Sequence, residues 1–277
     1  MKKKIILLNI SKSPAEIDWI LPVLFELNSK YRIYTIFQSL NVYKALEKDE
    51  KLFNLWNEIS DNYSIDNKFD KVFRYLSKKI FKNFNFKKYL KRKNIIFEEI
   101  KVILSEFGTY PWVFEETIKI LNRPLTVHFP TSSFIFGIEQ KNKKIPYRLN
   151  GDRLLLCNKL DIDFWKKRIE EKKIKIVGVP KYDKQWLQKL EKRKIDTKKK
   201  VILIAYSSRF NNKLLNFKKL EDQLNGILKA VNNFKDCKII FKIHPRKNDP
   251  HYLQLIKKFK DLEYEVSSEN IISLAGV

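Results

Sequence analysis

One strand-like segment leads into residues suited to phosphate chemistry. The run Lys238–Ile243 is apolar enough to form a buried strand, and His244, Pro245 and Arg246 follow it directly. The proline ends the strand, so these residues are expected at its carboxyl end, where α/β folds bind ligands. A histidine can exchange a proton near neutral pH, and Lys242 and Arg246 can neutralise phosphate. The segment predicts a catalytic or phosphate-binding site; a structural strand-end histidine is the alternative.

Two other strand ends offer groups for proton transfer or anion binding. The run Val127–Ser133 brings His128 to the end of a strand and then places hydroxyl side chains at a predicted helix start. Those hydroxyls can cap the helix, with or without an anion on its free N–H groups. The run Ile103–Gly108 ends a strand in Glu106, which can act as a general base or bind a sugar hydroxyl. A salt-bridge partner or a helix N-terminal acid is the competing interpretation of Glu106.

Motifs for other chemistries are absent from the sequence. It contains no GxGxxG, GxxxxGK[ST], GxSxG or HExxH motif, and its six glycines are scattered. The pair Asp161 and Asp163 has the spacing of a metal-binding DxD motif, but acids also favour the start of a helix. We therefore predict neither a metal site nor a cofactor.

The elements that must position these residues alternate along the whole chain. The predicted strands are Ile5–Ile10, Tyr31–Phe37, Lys101–Ser105, Leu125–His128, Arg153–Cys157, Ile174–Gly178, Val201–Tyr206, Lys238–Ile243 and Leu262–Val266. The predicted helices are Ala15–Lys30, Lys68–Lys91, Trp112–Leu121, Asp161–Lys172, Tyr182–Arg193, Asn216–Phe234 and His251–Phe259. Several strands are apolar on both faces, as strands covered by helices must be. The pattern predicts an α/β fold with two Rossmann-like parallel-sheet domains.

The clearest domain boundary is the charged segment Glu191–Lys200. It separates a first α/β domain, residues 1–196, from a second domain that begins at residue 197. The second domain stops soon after the strand Leu262–Val266, which leaves a small sheet with an exposed edge. We therefore expect residues 197–277 to be the first part of a domain that continues in a longer protein.

The composition excludes some classes of protein but does not identify a binding partner. Hydrophobic residues make up 44% of the 277 residues, which excludes a disordered chain. The net charge of +25 favours a polyanionic partner, although an A+T-rich coding sequence gives a similar lysine content. Cys157 and Cys237 form no cluster, so a reducing, cytoplasmic location is expected. No apolar run reaches the roughly 18 residues of a membrane span.

Three stretches resemble a known group of enzymes. The run Ile176–Asp183 resembles a Gly-x-Pro-x-x-Asp segment, and Val201–Ser208 looks like the first strand and loop of a nucleotide-binding domain. The third stretch is His244-Pro245 after a strand. With these stretches the chain is similar to GT-B glycosyltransferases of bacterial surface-polysaccharide synthesis, in particular capsule polysialyltransferases and CDP-glycerol transferases of wall teichoic acid synthesis. UDP-N-acetylglucosamine 2-epimerases are a more distant likeness.

The resemblance implies a transferase that needs no metal or cofactor. Its donor would be a nucleotide-activated sugar or polyol phosphate, and its acceptor a polysaccharide or a lipid-linked molecule. His244 would assist departure of the nucleotide, while Glu106 or His128 would take the proton of the acceptor hydroxyl. The residues implied in binding the donor or its phosphate are Lys242, Pro245, Arg246, Ser207, Ser208, Ser267 and Ser268.

The resemblance also assigns roles to the domains and a place in the cell. Residues 1–196 would bind the acceptor and residues 197–277 the donor, with a cleft between them. A basic face would hold the enzyme peripherally at the anionic inner membrane. The chain departs from the pattern at two points: the His-Gly motif of the glycerol-phosphate transferases is His128-Phe129 here, and the paired serines of polysialyltransferases would lie beyond Val277.

Two alternatives from other classes stay open. A nucleotide-sugar 2-epimerase would use the same fold and should place several carboxylates near the cleft. A nucleic-acid-binding protein would explain the pI of 9.8 and would use aromatic side chains such as Trp112, Trp165 and Trp186 for stacking. These tryptophans have apolar neighbours in predicted helices, so we expect them in the core and expect no nucleic-acid partner.

Overall fold

The computed structural model describes residues 3–79, 84–106, 112–130, 149–190, 199–205, 217–231, 233, 236–243, 250–257 and 263–267. Its strands are β1 (Lys4–Ile10), β2 (Tyr31–Phe37), β3 (Ser60–Ile65), β4 (Ile100–Glu106), β5 (Leu125–Phe129), β6 (Arg153–Leu156), β7 (Ile174–Ile176), β8 (Lys200–Ala205), β9 (Cys237–Lys242) and β10 (Tyr264–Ser267). Its α-helices are α1 (Ala15–Leu27), α2 (Leu40–Glu47), α3 (Glu50–Ile59), α4 (Lys68–Lys79), α5 (Phe86–Arg92), α6 (Trp112–Thr117), α7 (Ile162–Trp165), α8 (Lys184–Lys189), α9 (Phe217–Val231) and α10 (Pro250–Lys257).

The first seven strands form one parallel sheet with the order β3-β2-β1-β4-β5-β6-β7. The order reverses between β1 and β4, because the chain builds outward from β1 in one direction and from β4 in the other. In an open α/β sheet the carboxyl ends of the strands at such a switch point flank a crevice, which is the usual ligand site. The residues at the carboxyl ends of β1 and β4 are therefore the first candidates for a ligand site.

The last three strands form a second parallel sheet with the order β10-β9-β8. The chain divides into two compact units, Met1–Lys189 and Leu190–Val277. Each unit has buried apolar residues of its own: Phe241 and Leu224 in the second, and Leu7 and Phe114 in the first, are almost inaccessible to solvent. The α/β class with two parallel sheets is confirmed.

The segment between β2 and α4 differs from the sequence-based prediction, which left it unassigned. It contains α2, α3 and the edge strand β3. The strand β3 reads Ser-Asp-Asn-Tyr-Ser-Ile and is only partly buried, so it lacks the apolar run that marks a central strand. Ser39 and Asp49 cap the two helices by accepting hydrogen bonds from the backbone N–H groups of Val42 and Leu52.

Several predicted helices are shorter than the periodicity indicates. The single helix expected over Lys68–Lys91 is divided into α4 and α5, and the side chain of Asn85 accepts a hydrogen bond from the N–H of Lys88 as α5 begins. Asn is a good N-cap, so a new helix starts there. The helix expected over Asp161–Lys172 ends at Trp165.

Candidate active site

Lys12 and Glu106 meet at the switch point of the large sheet. The loop after β1 carries Lys12, and Glu106 is the last residue of β4. The Lys12 Nζ atom lies 3.4 Å from Oε2 of Glu106. The Glu106 side chain is only 7% exposed, whereas that of Lys12 is 45% exposed. A carboxylate that is nearly buried but paired with a half-exposed cation is suited to accept a proton, or to accept a hydrogen bond from a sugar hydroxyl.

A second carboxylate, Glu16, organises the loop that carries Lys12. Glu16 lies in the first turn of α1, and its oxygens accept hydrogen bonds from the backbone N–H groups of Ser11 (3.0 Å), Lys12 (2.5 Å) and Ser13 (3.0 Å). Burial raises the pKa of Glu16 to about 7; the three backbone bonds lower this pKa and the charge of Glu106 raises it. The anion site made by this loop is thus filled by the protein's own carboxylate.

The opposite face of the same strands carries a buried hydrogen-bond chain. Asn9 of β1 donates from Nδ2 to Oγ of Ser105 on β4 at 2.8 Å, and Gln38 after β2 donates from Nε2 to Oδ1 of Asn9 at 3.0 Å. Asn9 and Ser105 are in register and fully buried. These hydrogen bonds link the ends of three neighbouring strands, β2, β1 and β4. They thereby fix the position of the strand end that carries Glu106.

His128 lies at the next strand end but inside the core. Its Nε2–H donates to the backbone carbonyl of Asn150 at 2.7 Å, and its ring packs on Phe114 with centroids 4.5 Å apart. Nδ1 has no hydrogen-bond partner among the described residues. Burial lowers the pKa of His128 to about 4, which keeps the ring neutral. The register pairs His128 with Ser105 and Glu106 with Phe129, so the structure does not bring the two predicted bases together.

In the second sheet Lys242 and Ser267 lie side by side at the carboxyl ends of β9 and β10. The N–H of Ile243 donates to the carbonyl oxygen of Ser267 at 2.8 Å, and Nζ of Lys242 donates to the carbonyl oxygen of Ile243 at 2.6 Å. The other residues predicted for donor binding or catalysis lie outside the described residues: Ser207, Ser208, His244, Pro245, Arg246 and Ser268. Their roles stay predictions.

Lys12 and Glu16 are site residues that were not predicted from the sequence. The signal was present, since Ser13-Pro14-Ala15-Glu16 has the Ser-x-x-Glu spacing of a capping box and follows a buried strand. The observed bond from the N–H of Ser13 to Glu16 is the reciprocal half of that motif. The contact between Lys12 and Glu106 depends on β1 and β4 being neighbours, which no local pattern in the sequence indicates.

The described residues also bear on the predictions about metal ions, membrane spans and stacking on nucleic-acid bases. Asp163 is 84% exposed and pairs with Lys166, whereas Asp161 is buried, so the two acids do not face a common point. Across the described part of the chain, no group of three or more His, Cys, Asp or Glu side chains is placed to hold a metal ion. Within the same part, no helix combines the length and the hydropathy of a membrane span. Trp165 and Trp186 are buried and therefore do not offer stacking surfaces to bases.

Comparison with solved structures shows the fold. No protein-family model matches the sequence, and a search of curated proteins finds no match. The chain is similar to MnaA of S. aureus solved with UDP, with a TM-score of 0.60 and 13% identity over 98% of this chain and 70% of that one. It is similar to UDP-GlcNAc 2-epimerase from Neisseria meningitidis bound to UDP-GlcNAc, with a TM-score of 0.52 and 12% identity over 97% and 73%.

A glycosyltransferase shares the same architecture. The glycotransferase of kitacinnamycin matches with a TM-score of 0.51 and 12% identity over 96% of this chain and 71% of that one. At these identities the likeness concerns the fold alone, which is of the GT-B type. The comparisons therefore place the chain in a fold used by both glycosyltransferases and epimerases, without separating the two activities.

Proposed function

We propose that this chain is a metal-independent transferase that moves a glycosyl or glycerophosphate group from a nucleotide-activated donor to a polysaccharide or lipid-linked acceptor during cell-surface polysaccharide synthesis. The observation that carries the proposal is the pair formed by Glu106 and Lys12 at the switch point of a GT-B sheet. A carboxylate at this position lies where open α/β sheets bind ligands, and the half-exposed Lys12 is one of its partners.

The proposed reaction is a direct displacement. The acceptor hydroxyl oxygen forms a bond to the anomeric carbon of the donor sugar, or to phosphorus in a glycerophosphate donor, and its proton passes to Glu106. The bond from that carbon or phosphorus to the nucleotide phosphate breaks, and the electron pair leaves with the nucleotide. Proton removal by a positioned carboxylate contributes about 10²–10⁴ in rate.

The donor side of the proposal depends on the second sheet. Two of the solved structures with this fold are described as complexes with UDP and with UDP-GlcNAc, which supports a nucleotide donor here. Lys242 is the last residue of β9 and directly precedes Ile243. His244 and Arg246, the residues predicted to act on the donor phosphate, follow in the sequence. These cations would offset the charge that develops on the departing phosphate.

A donor panel tests the activity. The full-length protein is incubated with UDP-, CMP- and CDP-linked donors, with and without an extract of lipid-linked acceptors, and free nucleotide is measured. We expect nucleotide release from one donor that depends on the acceptor, and a fall of about 10²–10³ in turnover for His244→Ala without a comparable loss of acceptor binding. Release that needs no acceptor, or no release from any donor, would contradict a transferase.

An epimerase is the second candidate, and one observation favours it. Glu16 and Glu106 are two carboxylates close enough for the charge of one to affect the pKa of the other. Epimerisation at a carbon next to the anomeric centre needs a proton to be removed and returned, for which two carboxyl groups are suited. In D₂O this activity would place deuterium at the epimerised carbon of a nucleotide sugar with no net requirement for acceptor. The proposed transferase predicts no such exchange.

A further inference from the structure

Glu16 is a buried acid that lowers the stability of the protein once it ionises. The residue is only 1% exposed, and burial opposes its ionisation, as does the charge of Glu106. The Ser-x-x-Glu spacing at the start of α1 is served by glutamine as well as by glutamate, because either side chain can accept a hydrogen bond from the N–H of Ser13. Glutamine would do so without a buried charge. The helix start alone therefore does not explain the carboxyl group of Glu16.

The ionised form of Glu16 can hold the loop before α1 in a way that the neutral form cannot. Oε1 accepts hydrogen bonds from the N–H groups of Lys12 at 2.5 Å and Ser13 at 3.0 Å, and Oε2 accepts one from the N–H of Ser11 at 3.0 Å. A carboxylate accepts on both oxygens, whereas a protonated carboxyl group carries an O–H donor on one of them. The three hydrogen bonds are therefore complete only when Glu16 is charged.

The loop that Glu16 holds carries the cation of the candidate site. Nζ of Lys12 lies 3.4 Å from Oε2 of Glu106, and the Lys12 side chain is half-exposed. A long, flexible side chain loses rotamer entropy when it is held in one place, so the position of its backbone decides how often it reaches its partner. The bonds to Glu16 fix the backbone of Lys12 and of both its neighbours in the sequence.

The charged groups near Glu16 belong to three elements. The loop contributes Lys12, and β4 contributes Glu106, whose charge raises the pKa of Glu16. On α1 itself, Asp18 lies in the same first turn and pairs with Lys181 at 3.1 Å. Titration of Glu16 therefore changes by one the net charge of a group that consists of two carboxyl groups and the Lys12 ammonium.

We propose that Glu16 is a positioning residue for the transfer reaction, because in its ionised form it fixes the loop so that Lys12 stays beside Glu106. This inference rests on the proposed function of Glu106. Burial raises the pKa of Glu16 to about 7, so the loop is held above neutral pH and loosened below it. Functional sites hold such perturbed groups even where they cost stability.

Rates measured across pH test the proposal in the full-length protein. Acceptor-dependent nucleotide release is followed between about pH 5.5 and 8.5 for the parent and for Glu16→Gln, which replaces the acid by a neutral side chain of the same shape. We expect turnover of the parent to rise about threefold to tenfold through pH 7, and this rise to be absent from Glu16→Gln. Asp18→Asn is the matched control and should keep the rise, because Asp18 pairs with Lys181. A parental rise in Glu16→Gln would overturn the proposal.

A combination with Lys12→Met shows whether Glu16 acts through Lys12. At pH 8 we expect the double variant of Glu16→Gln and Lys12→Met to be no slower than Lys12→Met alone, because both changes break the same link. A double variant whose loss of turnover is the product of the two single losses would contradict positioning through Lys12.

An NMR titration follows the loop without any substrate. The backbone amide resonance of Lys12 is assigned in protein labelled with ¹⁵N-lysine by its absence from Lys12→Arg. We expect it to shift with a midpoint near pH 7 in the parent and not in Glu16→Gln. A Lys12 amide that does not respond to pH in an active parent would overturn the inference alone. Nucleotide release absent from every donor, with the Lys12 titration intact, would refute the proposed function and not the control of the loop by Glu16.

Discussion

Glu106 and His128 end neighbouring parallel strands, yet they lie in opposite environments. Glu106 points to the side where α1 and the Lys12 loop lie, and its partner Lys12 is half-exposed. His128 points to the other side, where Phe114 and the carbonyl group of Asn150 enclose it. Both residues are the same kind of signal in a sequence, a polar group at a strand end. One residue of register therefore decides which of them lies beside a half-exposed cation and which lies in the core.

Glu106 and His128 lie in different environments because they point to opposite faces of the sheet, and different residues cover the two faces. Successive side chains of a strand point to opposite faces, and the register places Ser105 beside His128 and Glu106 beside Phe129. On the His128 side, a Cβ atom at Gly151 would lie 3.0 Å from Cδ2 of His128, so the space around the ring is filled. On the other side, the loop before α1 leaves the Lys12 side chain in solvent.

The largest effect that tests this comparison is on stability. Replacing His128 by Ala removes a fully buried ring and leaves the carbonyl of Asn150 without its donor, so we expect the free energy of unfolding to fall by about 3–4 kcal/mol. Turnover per folded molecule should stay within about threefold of the parent. Denaturant unfolding and initial rates on the same sample check both. A hundredfold loss of turnover at unchanged stability would make His128 the base.

The next effect is a dependence of stability on pH that Glu16 produces. Its pKa of about 7 in the folded state lies above the ordinary glutamate value, so the folded state holds the proton more tightly than the unfolded state. This contribution to stability is complete below about pH 4.5 and is lost as pH rises through 7. Between pH 5 and pH 8 we expect the parent to lose about 2–3 kcal/mol relative to Glu16→Gln.

Unfolding curves of both proteins at several pH values measure that difference. The glutamine is neutral throughout, so a constant gap between the two proteins from pH 5 to pH 8 would show that Glu16 does not titrate in this range. The Glu16 carboxyl group also holds the loop that carries Lys12. The initial rate of nucleotide release is therefore measured on the same samples.

The smallest effect concerns the counter-ion of Glu106. Lys12 is half-exposed, and exposed ion pairs contribute little to stability. We expect Lys12→Met to leave the melting temperature nearly unchanged and to lower turnover by about threefold to tenfold, because the proposed catalytic carboxylate loses this neighbouring cation. Lys119→Met is a matched control, since Lys119 also pairs with a glutamate but lies beyond α6. An equal loss of rate in both variants would contradict a role for Lys12 in the site.

The sequence predicted the strands more completely than the site. Runs such as Ile5–Ile10 and Tyr31–Phe37 are long, apolar and bounded, and the strands observed there differ by at most one residue. Glu106 could be chosen because it ends such a run. Its partner Lys12 could not, because their contact joins residues separated by 94 positions and depends on the order of strands in the sheet.

Helix α4 shows a different limit of prediction. An apolar helix face ordinarily packs on the core, but the apolar side chains of one face of α4 are exposed, namely Phe69, Val72, Phe73 and Leu76. The buried pairs of Asp66 with Arg74 and of Asp70 with Lys93 reverse that orientation. Those pairs involve residues on separate elements, so the direction of the apolar face becomes visible only in three dimensions.

We propose that Glu106 accepts the proton of the acceptor hydroxyl in a nucleotide-dependent transfer reaction. The most direct measurement compares initial rates of acceptor-dependent nucleotide release for the parent, Glu106→Gln and the control Glu98→Gln, which changes an exposed acid at the other end of β4. We predict a fall of about 10²–10³ for Glu106→Gln with an unchanged melting temperature, and a parental rate for Glu98→Gln. A parental rate for a folded Glu106→Gln protein would contradict the claim.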